Sequence, residues 1–398
     1  ILISYIDRGN LGIAAPRLMD EFNLPAASMG TLLSSFFWTY GLFQIPMGYM
    51  VDRFGIRATY TLAFFVWSLA SAAVGFAQSP GQILALRLLL GAAESAGPLA
   101  SMAYIKRNFE EKQQGLPTAI YIAGLTAGPA VGTLLGGALL QWQGWRALFI
   151  ITGIAGFVWL PLWWFFGPRD EKLVVRNTAE TSAPMPLSAL FRSPVLWAMT
   201  VGVFLYSYFW FFVLTWVPSY LVMARGMSDA KMGVTLGGPL AAMSVVSLSA
   251  GALSDWFIRR SGNTLAVRKT FVGSGFFIGS TILLLLMAGS RESITAVFVL
   301  SLAGIGLAGG NFWALAQMTG PPDAIGRVIG YLNTVAQVAG ASAPLLTGFL
   351  LGSGQNFTAG IVIAGCCPAL AGIAILLFVT QGGMARLHAQ LGGQPRAL

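Results

Sequence analysis

The sequence predicts an all-α membrane protein with 12 transmembrane helices in two pseudo-symmetric six-helix bundles. Its composition, its regularly spaced apolar runs and an internal repeat lead to this fold class. Hydrophobic residues make up 56% of the 398-residue chain and charged residues only 9%, whereas soluble domains carry about 25% charged residues. The 23 basic and 14 acidic side chains are too few to cover a water-exposed surface of this size. Most of the surface is therefore expected to face lipid.

Twelve runs of the chain are apolar and almost free of charge, and each is close to the roughly 20 residues that a helix needs to cross a bilayer. They cover residues 1–18, 28–51, 58–78, 82–105, 114–141, 147–167, 194–218, 230–254, 270–289, 293–319, 327–352 and 357–380. The first run opens at Ile1 without an initiator Met, so we expect further residues upstream.

The distribution of basic residues between the loops predicts the orientation in the membrane. Sixteen Lys and Arg residues fall on the side that would hold both termini, and five fall on the other side. Cytoplasmic loops carry the excess of Lys and Arg, so both termini are expected in the cytoplasm and the protein in the inner (plasma) membrane. The net charge of +9 is thus assigned to topology, and no nucleic-acid partner is expected.

The loop after the second apolar run recurs after the eighth. Residues 48–57 read GYMVDRFGIR and residues 251–260 read GALSDWFIRR, so Gly48 and Asp52 recur as Gly251 and Asp255. Repeated halves are typical of secondary transporters, whose substrate site lies near the membrane midplane between them. The repeat predicts an N-terminal bundle at 1–167, a cytoplasmic linker at 168–192, a C-terminal bundle at 193–380 and a cytoplasmic tail at 381–398.

Four charged side chains lie well inside the apolar runs, away from their ends: Asp7, Arg8, Arg87 and Glu94. A charge within the bilayer is costly and is a functional hypothesis by default. Arg87 and Glu94 are seven residues apart, so they lie on nearly one face of a helix. A structural ion pair is the alternative, but two carboxylates and two guanidiniums in the first four runs exceed what packing requires.

These features resemble the major facilitator superfamily and, within it, the anion:cation symporter family. The repeated loop implies a gating motif made of Gly48, Asp52, Arg53, Arg57, Asp255 and Arg259. The narrower resemblance rests on Tyr5-Ile6-Asp7-Arg8-Gly9-Asn10, Phe37-Trp38-Thr39-Tyr40, Arg87 with Glu94, and Thr215-Trp216-Val217-Pro218-Ser219-Tyr220. It covers essentially the whole chain. The family includes bacterial proton symporters of sugar acids and of aromatic acids.

The resemblance implies roles for the intramembrane residues. Asp7 and Glu94 match proton-coupling carboxylates, and the matching substrate-binding residues are Arg8, Arg87, Tyr5 and Tyr40. A guanidinium suits an anionic substrate, because it stays charged and binds a carboxylate through two parallel hydrogen bonds. A buried carboxyl group suits proton carriage, because burial favours its neutral form while a nearby Arg favours its ionised form.

The second half carries no charge away from the ends of its apolar runs, so its candidates are neutral. We expect Asn311, Trp313 and Gln337 to contribute to the substrate site, with hydrogen bonding between helices as an equally open alternative. Leu125 stands where the sugar-acid symporters tend to have Gln, and Asn311-Phe312-Trp313 stands where hydroxyl residues are common. Both departures favour a less polar or aromatic acid.

The predicted function is secondary active transport: proton symport of an organic carboxylate, such as a sugar acid or an aromatic acid, by alternating access. We expect a monomer in the lipid bilayer, no cofactor other than the coupling proton, no metal and no enzymatic activity. The alternative is a proton-coupled antiporter that exports drugs or exchanges organic anions. Its support is residues 124–132, GLTAGPAVG, which resemble a motif of drug:proton antiporters, although closely packed helices also need such small residues.

Overall fold

The computed structural model describes residues 1–110, 113–167, 193–320, 325–352 and 356–391. These residues form helices joined by short turns, and no strand occurs among them. The prediction of an all-α protein is therefore confirmed. The predicted linker at 168–192 and the last part of the predicted tail, residues 392–398, lie outside the described residues.

The first half of the chain forms helices α1 to α6. They are α1 (Leu2–Glu21), α2 (Ala26–Phe54), α3 (Ile56–Val74), α4 (Pro80–Glu94), α5 (Ala96–Asn108) and α6 (Gly115–Phe166). Helices α4 and α5 together occupy the fourth predicted span. Helix α6 covers the fifth and sixth spans, which meet at Gly144. The φ of 79° at this residue breaks the helical path, and glycine adopts such a value without the steric cost of a side chain.

The second half forms helices α7 to α13. They are α7 (Pro194–Ser219), α8 (Asp229–Ser261), α9 (Thr264–Gly279), α10 (Arg291–Met318), α11 (Ile325–Leu351), α12 (Thr358–Phe378) and α13 (Gln381–Gln390). Helix α7 continues into a π-helical turn at Tyr220–Ala224, and α9 continues into a 3-10 turn at Ser280–Leu286. Helices α7 to α12 coincide with the seventh to twelfth predicted spans.

Eight helical segments among the described residues are long and apolar enough to cross a membrane, from Pro80–Asn108 to Thr358–Phe378. One of these segments, Leu116–Phe165, holds two predicted spans. Helices α1 to α3 are not among the eight. Their sequences are more polar, and α1 carries both Asp7 and Arg8 in its first half.

Packing divides the chain into two compact units. The first unit joins Ile1–Thr178 with Phe212–Gly237 and Ala341–Phe357, and the second joins Ala179–Phe211, Gly238–Gly340 and Thr358–Leu398. The end of α7, the start of α8 and the end of α11 therefore pack within the first unit, on the side predicted to be external. The bundle boundaries inferred from the repeat stay a prediction, because the two units follow packing and not chain order.

Glycines bring the backbones of α9 and α10 into contact within the second unit. A Cβ atom on Gly275 would lie 2.6 Å from the carbonyl oxygen of Gly304, and one on Gly304 would lie 2.6 Å from the backbone nitrogen of Gly279. In lipid, close van der Waals contact between small residues takes over the role that the hydrophobic effect has in water. Helix packing therefore accounts for these glycines.

The residues that follow α12 begin with an ordered helix, α13. Its Met384 and Leu387 side chains are fully buried, and Thr380 caps its N-terminus by accepting a hydrogen bond from the backbone N–H of Gly383. The Nε2 atom of His388 lies 2.9 Å from the carbonyl oxygen of Met318. This helix therefore connects the end of α12 to the end of α10.

We expect Gly304→Leu to destabilise the folded protein, because the new side chain would overlap the backbone of α9. Overpacking of this kind costs about 1–3 kcal/mol, which for a chain of this length corresponds to a melting temperature lowered by roughly 1–4 °C. Thermal unfolding of the purified protein in detergent measures the change. Gly310→Leu is the matched control on the same helix, since Gly310 is exposed and has open space around it. Equal melting temperatures for the two variants would contradict the packing argument.

Candidate functional site

A buried ion pair between Arg8 and Glu94 is the centre of the candidate site in the first unit. Nε of Arg8 lies 2.5 Å from Oε1 of Glu94, and the two side chains are 8% and 0% exposed. Ser4, one helical turn before Arg8, donates a second hydrogen bond from its hydroxyl to the same oxygen. Helix α1 thus presents two donors to one carboxylate oxygen, while Oε2 of Glu94 has no hydrogen-bond partner among the described residues.

Aromatic rings surround the guanidinium of Arg8. Its Cζ atom lies 4.7 Å from the ring centre of Tyr5, 5.0 Å from that of Phe36 and 4.4 Å from that of Tyr40. The rings of Phe36 and Tyr40 stack with their centres 5.2 Å apart. Cation–π contacts are stronger when the cation is removed from water, so the three rings offset part of the cost of burying Arg8.

A break in the fourth span positions Glu94. Helix α4 ends at Glu94, and α5 begins at Ala96. Pro98 has no N–H with which to bond the carbonyl of Glu94 four residues earlier, and its ring opposes a straight helix at this point. The local sequence therefore places Glu94 at the last position of α4, where the helix is interrupted.

Arg87 is buried on α4 and lies at a distance from Glu94, its expected partner. It is 2% exposed, and its Nε and Nη1 atoms have no hydrogen-bond partner in the described part of the chain. Its Cζ lies 5.1 Å from the ring centre of Phe36, and Glu94 and Asp7 attract its charge at longer range. Two turns of helix separate Arg87 from Glu94 by about 10 Å. Arg8 makes the direct contact instead, because it reaches Glu94 from a neighbouring helix.

Asp7 points away from Arg8 although the two residues are adjacent in sequence, since neighbours on a helix project roughly 100° apart. Oδ1 of Asp7 accepts hydrogen bonds from the Ser71 hydroxyl of α3 at 3.0 Å and from the Asn10 amide at 3.5 Å. The same amide donates to Oγ1 of Thr152 on α6 at 2.9 Å. Asp7 is 1% exposed. It therefore belongs to a buried polar network shared by α1, α3 and α6.

The glycine-rich stretch at 124–132 packs α6 against α1. A Cβ atom on Gly128 would lie 2.6 Å from Cβ of Tyr5, and one on Gly132 would lie 3.1 Å from Cα of Ile6. Side chains at these glycines would displace the helix that carries Arg8. Close packing accounts for this stretch without a role in antiport.

Asn311 belongs to an ionic network in the second unit. It is 1% exposed, and its side-chain oxygen accepts a hydrogen bond of 3.1 Å from Arg268 of α9. Arg268 also lies 3.2 Å from Asp255, the repeated acidic residue. The sequence placed Arg268 just before the ninth span, and nothing in its surroundings indicated a partner on α10. A substrate-binding role for Asn311 stays a prediction.

Trp313 and Gln337 are the other candidates from the second half. The ring of Trp313 packs edge-on against Phe312, with the centres 5.8 Å apart. Nε2 of Gln337 lies 3.5 Å from Oδ1 of Asn333, one turn earlier on α11. Oε1 of Gln337 is buried and has no hydrogen-bond partner within the described ranges. Both residues lie in the second unit, and their contacts with substrate stay predictions.

The predicted gating motif contains one ion pair in each unit. Asp52 lies 3.4 Å from Arg107 at the end of α5. Asp255 lies 3.2 Å from Arg268 in the first turns of α9. In each half of the repeat, the acidic residue of the motif therefore pairs with an Arg. The Arg comes from α5 in the first half and from α9 in the second half. The remaining members of the motif are Gly48, Arg53, Arg57 and Arg259, and a gating role for the motif stays a prediction.

Sequence reasoning missed Ser4, Phe36 and Ser71, which complete the site. Ser4 stands four residues before Arg8, and Phe36 stands four residues before Tyr40. Residues at this spacing share a helix face, so spacing alone could have found both. Ser71 reaches the site only because α3 packs against α1, and a single Ser in an apolar helix gives no local signal of such a contact.

Comparisons with known proteins identify the family. The Major Facilitator Superfamily model matches residues 1–344. A probable galactarate/D-glucarate transporter of Escherichia coli (strain K12) is 30% identical over 420 residues, which cover 98% of this chain and 94% of that protein. A hexuronate transporter of Bacillus subtilis (strain 168) is 30% identical over 391 residues, which cover 95% of this chain and 92% of that protein.

A solved structure shows the same fold. It is a bacterial homologue of the human lysosomal transporter Spinster in an inward-facing and unoccupied conformation, and it matches with a TM-score of 0.75. The sequences are 17% identical, and the match covers 98% of this chain and 93% of that chain. With the family model and the two relatives at 30% identity, the conclusion is that this chain belongs to the Major Facilitator Superfamily, whose members are transporters and not enzymes.

Proposed function

We propose that this chain takes up an organic carboxylate together with a proton by alternating access. The observation that carries the proposal is the contact between Arg8 and Glu94, at 2.5 Å inside a membrane span. The relatives support the substrate class, since one is named for galactarate and D-glucarate and the other for hexuronate. All three are organic acids.

Competition for Arg8 would couple the substrate to the proton. Glu94 occupies the Nε donor of Arg8, so the side-on pair of donors formed by Nε and a neighbouring Nη is not free for a paired contact with a substrate carboxylate. Two carboxylates at one guanidinium would leave an uncompensated negative charge in the bilayer, which is costly. A proton on Glu94 removes that charge and weakens its hold on Arg8. Substrate binding and proton uptake then favour each other, because linkage between two sites is reciprocal.

Asp7 is proposed as the second proton-coupling group. Its burial favours the neutral acid, whereas the hydrogen bonds from Ser71 and Asn10 favour the carboxylate. Ser71 lies on α3, and the Asn10 amide of α1 is also bound to Thr152 of α6, so a movement of α3 or α6 against α1 would change the balance of these effects. Arg87 lies within electrostatic range of both acids, which supports its proposed role in tuning them.

The structure changes what Asn311 indicates about the polarity of the substrate. Its position in span ten favoured a less polar acid on sequence grounds. Its side chain, however, is bound to Arg268 in a network that includes Asp255. The difference from the sugar-acid symporters at Asn311 therefore gives no information about the polarity of the substrate. Leu125 is the remaining difference from that group. The names of the relatives then favour a sugar acid, with an aromatic acid as the alternative.

Proton-coupled antiport is the second candidate, and transport in proteoliposomes separates it from symport. An inside-alkaline gradient should drive accumulation of galactarate or hexuronate by a symporter. Addition of the substrate without a gradient should acidify the lumen, because each substrate molecule would enter with a proton. A fluorescent pH indicator inside the vesicles reports this change. Luminal alkalinisation on substrate entry would instead support antiport.

We expect Arg8→Ala to abolish binding of the carboxylate substrate and Arg8→Lys to lose most of it, because Lys lacks the planar fork of the guanidinium. Removing one partner of a buried charge contact lowers affinity by at least about 30-fold. Titration of the purified variants with galactarate and hexuronate measures the loss. Arg386→Lys, on the exposed side of α13, is the control for a conservative change of charge type. Unchanged affinity in Arg8→Ala would remove Arg8 from the substrate site.

We expect Glu94→Gln to bind and exchange substrate but not to concentrate it under a pH gradient, because Gln imitates the permanently protonated acid. Asp7→Asn should also lose concentrative uptake. Counterflow exchange and gradient-driven uptake in the same proteoliposomes give the paired measurement.

The two variants distinguish the possible proton sites. If Glu94→Gln concentrates substrate as the parent protein does, Glu94 is not the coupling site and Asp7 must act alone. If both variants concentrate substrate, proton symport through this pair is wrong. Loss of exchange as well as uptake would assign Glu94 to binding and not to coupling.

A further inference from the structure

We infer that an ion pair between Arg17 and Asp229 is a latch that sets how readily the transporter opens to the side predicted to be external. Both residues lie in the first unit. Arg17 stands near the end of α1, and Asp229 is the first residue of α8. The latch therefore joins a helix of the first half of the repeat to a helix of the second half. The inference does not depend on which ion drives transport.

The two partners of the latch are unequal. Nε and Nη2 of Arg17 lie 3.0 Å and 2.6 Å from Oδ2 of Asp229. The Asp229 side chain is 2% exposed and the Arg17 side chain 46%, and Oδ1 of Asp229 is buried with no hydrogen-bond partner among the residues described. Without Arg17, a buried carboxylate would keep an uncompensated charge. Without Asp229, Arg17 would remain hydrated.

Three backbone contacts on the same side of the protein join the same two halves. They are Gly12 against Thr215, Gly30 against Gly348 and Gly137 against Gly233. In each, a Cβ atom added to the first glycine would lie within 3.2 Å of the Cα atom of the second residue. Backbones at this separation leave no room for water between the helices. This end of the first unit is therefore closed.

A further hydrogen bond ties two of these helices to each other. The indole of Trp216 on α7 donates to the carbonyl oxygen of Pro344 on α11 at 2.9 Å. Pro344 has no N–H of its own, but its carbonyl is available to a side chain. The ends of α7 and α11 are thus joined directly, and we expect them to move together.

Substrate can enter from the external side only when these contacts separate, because alternating access rocks one half against the other around a central site. The glycine contacts are neutral and act only at close range. The ion pair adds an attraction that disappears on opening, when both charges become hydrated. Hydration of Asp229 offsets part of the lost attraction, so the pair can hold the closed state and still release it.

The experiment measures how often this end opens. Thr133 of α6 is 4% exposed, and its carbonyl oxygen lies beside Gly233 of α8. Thr133→Cys, in a background with Cys366→Ser and Cys367→Ala, is labelled with a membrane-impermeant thiol reagent added outside intact cells. The reaction should be slow while the latch holds. Its rate should rise by about tenfold in Arg17→Gln and by less in Asp229→Asn, because only the first leaves an unpaired buried charge.

A charge reversal and a pair of glycine variants separate loss of the latch from misfolding. Combining Arg17→Asp with Asp229→Arg restores opposite charges and should lower the labelling rate below that of either reversal alone. Gly137→Leu should raise the rate, since its side chain would overlap the backbone of α8. Gly238→Leu, at an exposed glycine of α8 with open space around it, is the matched control. Parental labelling in both Arg17→Gln and Asp229→Asn, or a larger effect in Asp229→Asn, would overturn the latch.

Discussion

The cost of an unpaired charge in lipid is the constraint on which this structure depends. Three pairs of Arg with an acidic residue meet it: Arg8–Glu94, Arg17–Asp229 and Arg268–Asp255. The pairs differ in burial. Both side chains of the Arg8–Glu94 pair are less than a tenth exposed, whereas each of the other two pairs has one partner that is about half exposed. In the two outer pairs, water can replace a lost partner only for the more exposed side chain, which is Arg17 in one pair and Asp255 in the other. In the first pair only a proton or another ion can do so, which makes it suited to coupling.

Glycine packing is what allows the charged side chains to meet. Gly128 and Gly132 bring α6 against α1, and Gly91 of α4 faces the backbone carbonyl of Phe36 on α2. Small residues let helices in lipid approach closely enough for van der Waals contact to hold them. These contacts hold α1 against α6 and α4 against α2, and Arg8 on α1 reaches Glu94 on α4 within this packing. The charges and the glycines are therefore two parts of one arrangement.

The sequence located the membrane spans and the charged residues inside them. It did not show which residues on different helices contact each other. Long apolar runs and intramembrane charges are visible in a sequence because the bilayer permits few alternatives. Spacing placed Arg87 and Glu94 on one face, but it could not show that Arg8 would be the direct partner. The hydrogen bond between Asn311 and Arg268 likewise became visible only in the structure. Pairings between helices depend on tertiary packing, and no local pattern encodes them.

The charge balance of the cluster bears on proton stoichiometry in the proposed mechanism. Arg8 and Arg87 carry two positive charges, and Asp7 and Glu94 carry two negative charges when both are ionised, so the cluster is then neutral. A proton on either acid gives it one net positive charge, which a monocarboxylate such as hexuronate would neutralise. Galactarate has two carboxylates, so the same balance requires protons on both acids. Since a net charge inside the bilayer is costly, one proton per substrate carboxylate is the stoichiometry that keeps the loaded site neutral.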